Sequence, residues 1–216
     1  MSNGSKEMMA LLQTEADLHQ DLTPYVTSLG SGIPVLKHPL LFHIPYSDSM
    51  NAFINKQYEQ RLKMLDKYIQ DKKYDSYIFL HERAYRLQAF IDIEELLTGE
   101  QFWEYLADIW TDSENIWQNK SIYKKLFKKH LEHRNRFMSE EDKKVFDSLP
   151  EQVKIYRGHQ NKNKIGFSYT TNKERAEWFA NRFNKGNGQV YERVVPKSKI
   201  IAYTNSRSEQ EIIISI

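Results

Sequence analysis

The chain has 216 residues, 40% of them hydrophobic and 28% charged, with a formal net charge of +2. That composition is globular and long enough to bury a core without staples, and its near-neutral total demands neither a nucleic-acid nor a membrane partner. With no cysteine in the chain, a disulfide framework and a thiolate zinc site are excluded, and a reducing, cytoplasmic setting is the expectation.

The opening stretch, MSNGSKEMMALLQTEADLHQD, lacks a basic start followed by an apolar run. It reads as a polar helix and not as a secretory signal. No run approaches ~18 consecutive apolar residues, so no membrane span is expected. Residues 22–48 carry four prolines and two glycines, which predicts an irregular segment with extended pieces. Ser47, Asp48 and Ser49 then offer helix caps, and Phe53, Tyr58, Leu62, Leu65 and Ile69 recur at helical spacing. A second helix is expected from Asp75 to Glu95. Thr98 and Gln101 form a capping box for a third. That third helix places Trp103, Leu106 and Trp110 on one face, with Trp117 repeating the interval beyond it. An aromatic platform for a ring-shaped ligand is one reading; a buried helical seam is the favoured one, because aromatics seven apart usually pack. Ser139 opens a last short helix with Asp142 in its cap, and Leu149-Pro150 ends it.

At Pro150 the periodicity changes. Segments 153–157, 166–170, 189–195, 199–203 and 211–216 read as strands. Between the second and third, Thr171 and Glu174 suggest a capped amphipathic helix burying Ala176, Phe179 and Phe183. The expectation is an α+β chain: a helical region over 1–149, then a mainly antiparallel sheet over 150–216 with one inserted helix, together one compact unit.

Three features of the sheet half exceed what a fold needs. Arg157-Gly158 closes a strand, where a guanidinium is costly unless an anion or carboxylate meets it, and glycine permits close approach to the backbone. In Gly166-Phe167-Ser168-Tyr169-Thr170-Thr171, alternation puts the Ser168 and Thr170 hydroxyls on one face. Glu209 and Glu211, two apart, lead into an isoleucine-rich strand, where a carboxylate needs donors to satisfy it. Each signal alone has an ordinary structural explanation. Their order and context are more specific.

Strand-Arg-Gly, then Ser-x-Thr before a helix bearing AEWFA (176–180), then Glu-x-Glu opening a late strand resembles the arginine–serine–glutamate class of ADP-ribosyltransferases. The resemblance covers about Leu149 to Ile216 and implies that the chain consumes NAD as a substrate, with no metal. It gives Arg157 the NAD pyrophosphate and the Gly158 backbone the nicotinamide carboxamide. Ser168 positions Glu211 and seats the nicotinamide ribose, and Thr170 joins the NAD-binding set. Glu211 binds a ribose hydroxyl and stabilises the positive charge formed as the glycosidic bond breaks. Glu209 implies arginine as acceptor. A protein acceptor is therefore expected, in an effector of the kind phages and bacteria use against a host. A nucleic-acid acceptor and a catalytically inactive NAD-fold binding protein are the alternatives. Two departures stand out: Ser-Tyr-Thr replaces the family's Ser-Thr-Ser, and the interval from Arg157 to Glu211 leaves little room for long acceptor-recognition loops.

Other signals carry less. His130 and His133 with Glu132 lack a third metal ligand. Lys120, Lys124, Lys125, Lys128 and Lys129 with Arg134 and Arg136 make a basic stretch that could meet a phosphate backbone, and a solvated face is its commoner fate. There is no Walker-type loop or paired-glycine fingerprint, so NAD binding in the Rossmann manner is not expected.

Overall fold

The computed structural model describes residues 10–30, 32–114, 116–160, 163–182 and 187–216. It divides into two compact units, Met1–Glu95 and Leu96–Ile216.

In the first unit the proline-rich segment resolves into an antiparallel meander of β1 (Val26–Ser28), β2 (Pro34–His38) and β3 (Phe42–Pro45). Pro34 opens β2 and Pro45 closes β3, positions where a missing N–H is tolerated. Helix α1 (Asn51–Gln70) follows, and its Ile54 and Tyr58 close a core with Leu22, Leu36, Leu40, Leu41 and Leu80. Of the opening polar helix, only residues 10–12 are helical within the described part, and residues 1–9 lie outside it. The single helix expected over Asp75 to Glu95 is instead two, α2 (Tyr74–Leu80) and α3 (Arg86–Asp92). Between them His81 and Glu82 are extended, at ψ 149 and 145°. The Glu82 N–H donates to the Pro39 carbonyl at 2.7 Å. A tertiary hydrogen bond thus claims an amide that a continuous helix would have used internally.

The second unit begins with α4 (Gly99–Asp112), α5 (Lys120–Leu126) and α6 (Glu140–Ser148). The capping box forms: Thr98 Oγ1 accepts from the Gln101 N–H at 3.2 Å, and Gln101 Oε1 accepts from the Thr98 N–H at 3.1 Å. The five strands are β4 (Gln152–His159), β5 (Ser168–Thr170), β6 (Gln189–Pro196), β7 (Ile200–Thr204) and β8 (Glu211–Ile214), in the order β6-β4-β5-β8-β7. Every pairing is antiparallel. Helix α7 (Lys173–Asn181) is inserted between β5 and β6. The expected α+β layout with one inserted helix is present.

Trp103, Leu106 and Trp110 are all fully buried, as a packed seam requires, whereas Trp117 is exposed. The seam belongs to the sheet's core. Phe167 stands edge-on to Trp110 at 6.2 Å and to Phe127 at 5.8 Å. This is why the compact unit starts at Leu96. The boundary read at 149/150 marks a change of periodicity, but α4 and α5 bury their aromatic faces with the sheet and cannot be divided from it.

Helix α7 is capped by Asn172, not Thr171: Asn172 Oδ1 accepts from the Arg175 N–H at 3.1 Å. The Thr171 N–H is directed instead to the Gln210 carbonyl at 3.3 Å. Ala176 is buried as expected and Ala180 is buried with it, Phe179 is half-buried, and Phe183 lies outside the described residues. Two small residues face β4 because the strand backbone comes very close. A Cβ on Gly158 would collide with the Ala176 carbonyl and the Ala180 amide. The obstruction is backbone and cannot swing aside. Gly158→Ala is expected to destabilise the second unit by about 1–3 kcal/mol through overpacking. Thermal unfolding followed by circular dichroism checks this; an unchanged midpoint would show that α7 can shift freely.

Candidate functional site

β4 pairs with β6 along its whole length, from Gln152↔Pro196 to His159↔Gln189. With β5 it pairs only at Tyr156↔Thr170. Beyond Tyr156 the two strands part, and a cavity of about 340 Å³ lies at the opening, a size typical of ligand pockets. Arg157, Gly158, Ser168, Thr170, Glu209 and Glu211 all line it. The sheet and the turn before β8 thereby bring these six residues to one cavity.

Glu211 opens β8 and is paired on both sides, with Thr170 of β5 and Thr204 of β7. Its side chain is almost wholly enclosed, the residue being 3% exposed. Burial pushes the carboxyl above its ordinary range, and the neighbouring Glu209 charge adds to this. The Ser168 hydroxyl, the Arg207 charge and the Trp110 indole oppose the rise by favouring the ionised form. Trp110 Nε1 reaches both carboxylate oxygens, at 3.4 and 3.3 Å. Arg207 Nη2 stands 3.7 Å from Oε2. A buried carboxylate is tolerated here because donors from a helix, a strand and a turn converge on it.

Glu209 reaches the same cavity by a different route from the one expected. Strand alternation does not apply, since Glu209 precedes β8. It sits between Ser208 and Gln210, both left-handed, with φ of 55 and 48°. Non-glycine residues rarely adopt that conformation, and each such residue stores strain. The turn is held in place by Thr170, whose Oγ1 donates to the Glu209 carbonyl at 2.8 Å and accepts from the Asn172 N–H at 3.0 Å. Gln210 N–H adds a bond to Asn205 Oδ1 at 3.1 Å. The Thr170 hydroxyl is thus committed to shaping the turn that presents Glu209.

Arg157 is fixed by backbone. Its Nε donates to the Asn163 carbonyl at 3.0 Å and its Nη1 to the Ser168 carbonyl. The Tyr169 ring lies 5.9 Å from the guanidinium carbon. Gly166 makes room: a Cβ there would stand 2.7 Å from that carbon. Among the described residues no carboxylate forms an ion pair with Arg157, which lines the cavity. Burial lowers the guanidinium from its ordinary value, with Tyr169 and Glu211 opposing, and an arginine remains charged nonetheless.

Sequence reading missed Arg207 and the second role of Trp110. Arg207 Nε lies 3.8 Å from Glu209 Oε2, so one guanidinium meets both glutamates. Its spacing, two and four residues before them, was the available signal. Trp110 was read as core alone, and nothing in its local sequence announces a carboxylate 101 residues away. Gly158 also differs in emphasis: its missing side chain accommodates α7.

The weaker signals resolve plainly. Among the described residues there is no group of three or more potential metal ligands. The His130 carbonyl accepts from Trp103 Nε1 at 2.7 Å, and the His133 ring packs over Gly99. In the basic stretch, Arg136 meets Glu100 at 2.9 Å and Glu104 at 3.8 Å, which neutralises part of its charge. No described helix is long and apolar enough to cross a membrane. No protein-family model, curated protein or solved structure matches the chain.

Glu211 makes a stability prediction whose sign is unusual for a carboxylate. Its folded pKa lies above the unfolded value, so the folded state holds the proton more tightly. The resulting stabilisation is complete below the unfolded value and disappears as pH rises through the folded one. Glu211→Gln removes this titration. Its melting temperature relative to the parent is expected to climb as pH rises from the ordinary carboxylate range into the neutral region. Differential scanning calorimetry across that range measures it; a gap independent of pH would show that Glu211 titrates normally.

Proposed function

We propose that the chain is an NAD-consuming mono-ADP-ribosyltransferase. One observation carries this reading: Arg157, Ser168 and Glu211, from the neighbouring strands β4, β5 and β8, line one cavity where β4 and β5 separate.

The cavity's donors suit a dinucleotide. Arg157 offers a planar cation without a carboxylate partner among the described residues, matched to pyrophosphate oxygens in a way lysine is not. Tyr169 also lines the cavity, where its ring lies beside the Arg157 guanidinium. Glu211, itself buried, supplies a carboxylate whose ionised form is favoured by Ser168, Arg207 and Trp110. Such a charge stabilises positive charge developing on a ribose ring more strongly than bulk water does.

Cleavage of the bond between nicotinamide and ribose is a glycoside-type step with oxocarbenium character. Nicotinamide departs with the bonding electrons and becomes neutral, so no general acid is required. Ser168 keeps Glu211 oriented, and Glu209, at the cavity's edge, is placed to receive a proton from an incoming nucleophile. An arginine side chain of a protein is the acceptor this arrangement favours, because a guanidinium engages two carboxylates at once. An effector directed at another cell's proteins is the corresponding biological setting.

Purified protein supplied with NAD and a cell lysate is expected to release nicotinamide and to transfer label to protein. Glu211→Gln should lower nicotinamide release by about 10²–10³-fold, the usual cost of losing a preorganised electrostatic contact. Arg157→Lys should act mainly on KM. Equal release by the parent and Glu211→Gln would remove the catalytic assignment. Label that survives protease and is lost to nuclease would move the acceptor to nucleic acid, and absent turnover with retained NAD binding would leave a binding protein.

A further inference from the structure

The transferase reading gives Arg207 no contact with NAD, yet it is held against both glutamates. Its Nε is 3.8 Å from Glu209 Oε2 and its Nη2 is 3.7 Å from Glu211 Oε2. The side chain is 38% exposed and lines the cavity. These distances exceed those of tight charge-assisted hydrogen bonds, which run about 2.7–2.9 Å. An ion pair this open to solvent contributes little stability. The backbone around it is nevertheless strained, with Ser208 and Gln210 both left-handed. Strain maintained at a site points to use of the site.

We infer that Arg207 occupies the acceptor position and is itself ADP-ribosylated in cis. The inference rests on the transferase reading above. Its guanidinium bridges the carboxylate that stabilises the ribosyl cation and the carboxylate that receives a proton, which is the placement a substrate arginine needs. The step balances. The ribose C1′–nitrogen bond to nicotinamide breaks, and its electron pair neutralises the pyridinium ring. A terminal guanidinium nitrogen forms the new bond to C1′ and loses one proton, which passes to Glu209 and then to solvent. No oxidant, reductant or further reactant is involved. Modification puts a bulky dianionic group on the cavity wall next to Glu209 and Glu211, so the product blocks a second round. The chain thereby limits its own turnover when no external acceptor displaces Arg207.

The full-length protein is incubated with NAD alone, and nicotinamide release is followed beside intact mass and peptide mapping. One added ADP-ribosyl group on the peptide containing Arg207 is expected, at a first-order rate unchanged over a hundredfold dilution of protein. Glu211→Gln with NAD, and the parent with free ADP-ribose, should both leave that peptide unmodified, which separates enzymatic transfer from spontaneous glycation. Nicotinamide release without label on Arg207 would overturn the inference and leave the transferase reading intact, as would label confined to other residues. A rate that falls with dilution would overturn modification in cis. If NAD is not cleaved, both readings fall together.

Discussion

The structure's central constraint is the burial of one carboxylate at the head of an isoleucine strand. Glu211 begins the sequence Glu-Ile-Ile-Ile, and the four residues are all buried. Placing an ionisable group there is unfavourable unless donors surround it, because the enclosed interior cannot replace water's solvation. Ser168 from β5, Trp110 from α4 and Arg207 from the preceding turn supply those donors. Much of the second unit can be understood as what is needed to bring these three to one point. β5 must lie between β4 and β8, α4 must lie with its aromatic face against the sheet, and the turn before β8 must double back.

The third requirement explains a local departure from ordinary backbone. A regular strand extended back from Glu211 would carry Glu209 on the same face but take Arg207 farther along it. Left-handed residues at 208 and 210 fold the segment instead, so that residues 207, 209 and 211 face one space. The distortion is stabilised from outside by Thr170, whose hydroxyl holds the Glu209 carbonyl. Thr170 lies two residues from Ser168 on a strand, and alternation places both hydroxyls on the same face. One contacts Glu211 and the other shapes its neighbour, so a short polar strand organises both glutamates.

Much of this was legible in the sequence, and the failures are instructive. The strands were visible because period-two patterning and β-branched residues mark them. Arg157, Ser168 and Glu211 stood out because charged or polar groups interrupted apolar strands. The capping box at Thr98 and Gln101 formed because it depends only on groups three residues apart. What escaped depended on distant partners. The break at His81 and Glu82 follows from a bond to Pro39, and the unit boundary follows from Phe167 packing against Trp110 and Phe127. The cap fell to Asn172, whose side chain accepts from the Arg175 N–H, while the Thr171 N–H meets the Gln210 carbonyl. Local chemistry predicts local contacts; it does not reveal which remote group will compete for the same donor.

Trp110 joins these levels. As a core residue it fixes α4 against the sheet through Phe167, and the same ring's N–H meets Glu211. An indole can do both because its body is apolar and its one donor lies at the edge. The donor is therefore immobilised by core packing, not by a flexible side chain that must be ordered when charge develops. Arg157 follows the same rule, being tied to two backbone carbonyls and given room by Gly166. Arg207 is the contrasting element, long, partly exposed and on a turn. A site built to favour one charge distribution benefits from rigid donors, since groups already oriented need no reorganisation as that charge appears. A group meant to be displaced or modified has to be the mobile one. The two arginines of the cavity are thus held in different ways, Arg157 by backbone carbonyls and Arg207 by two carboxylates across longer gaps.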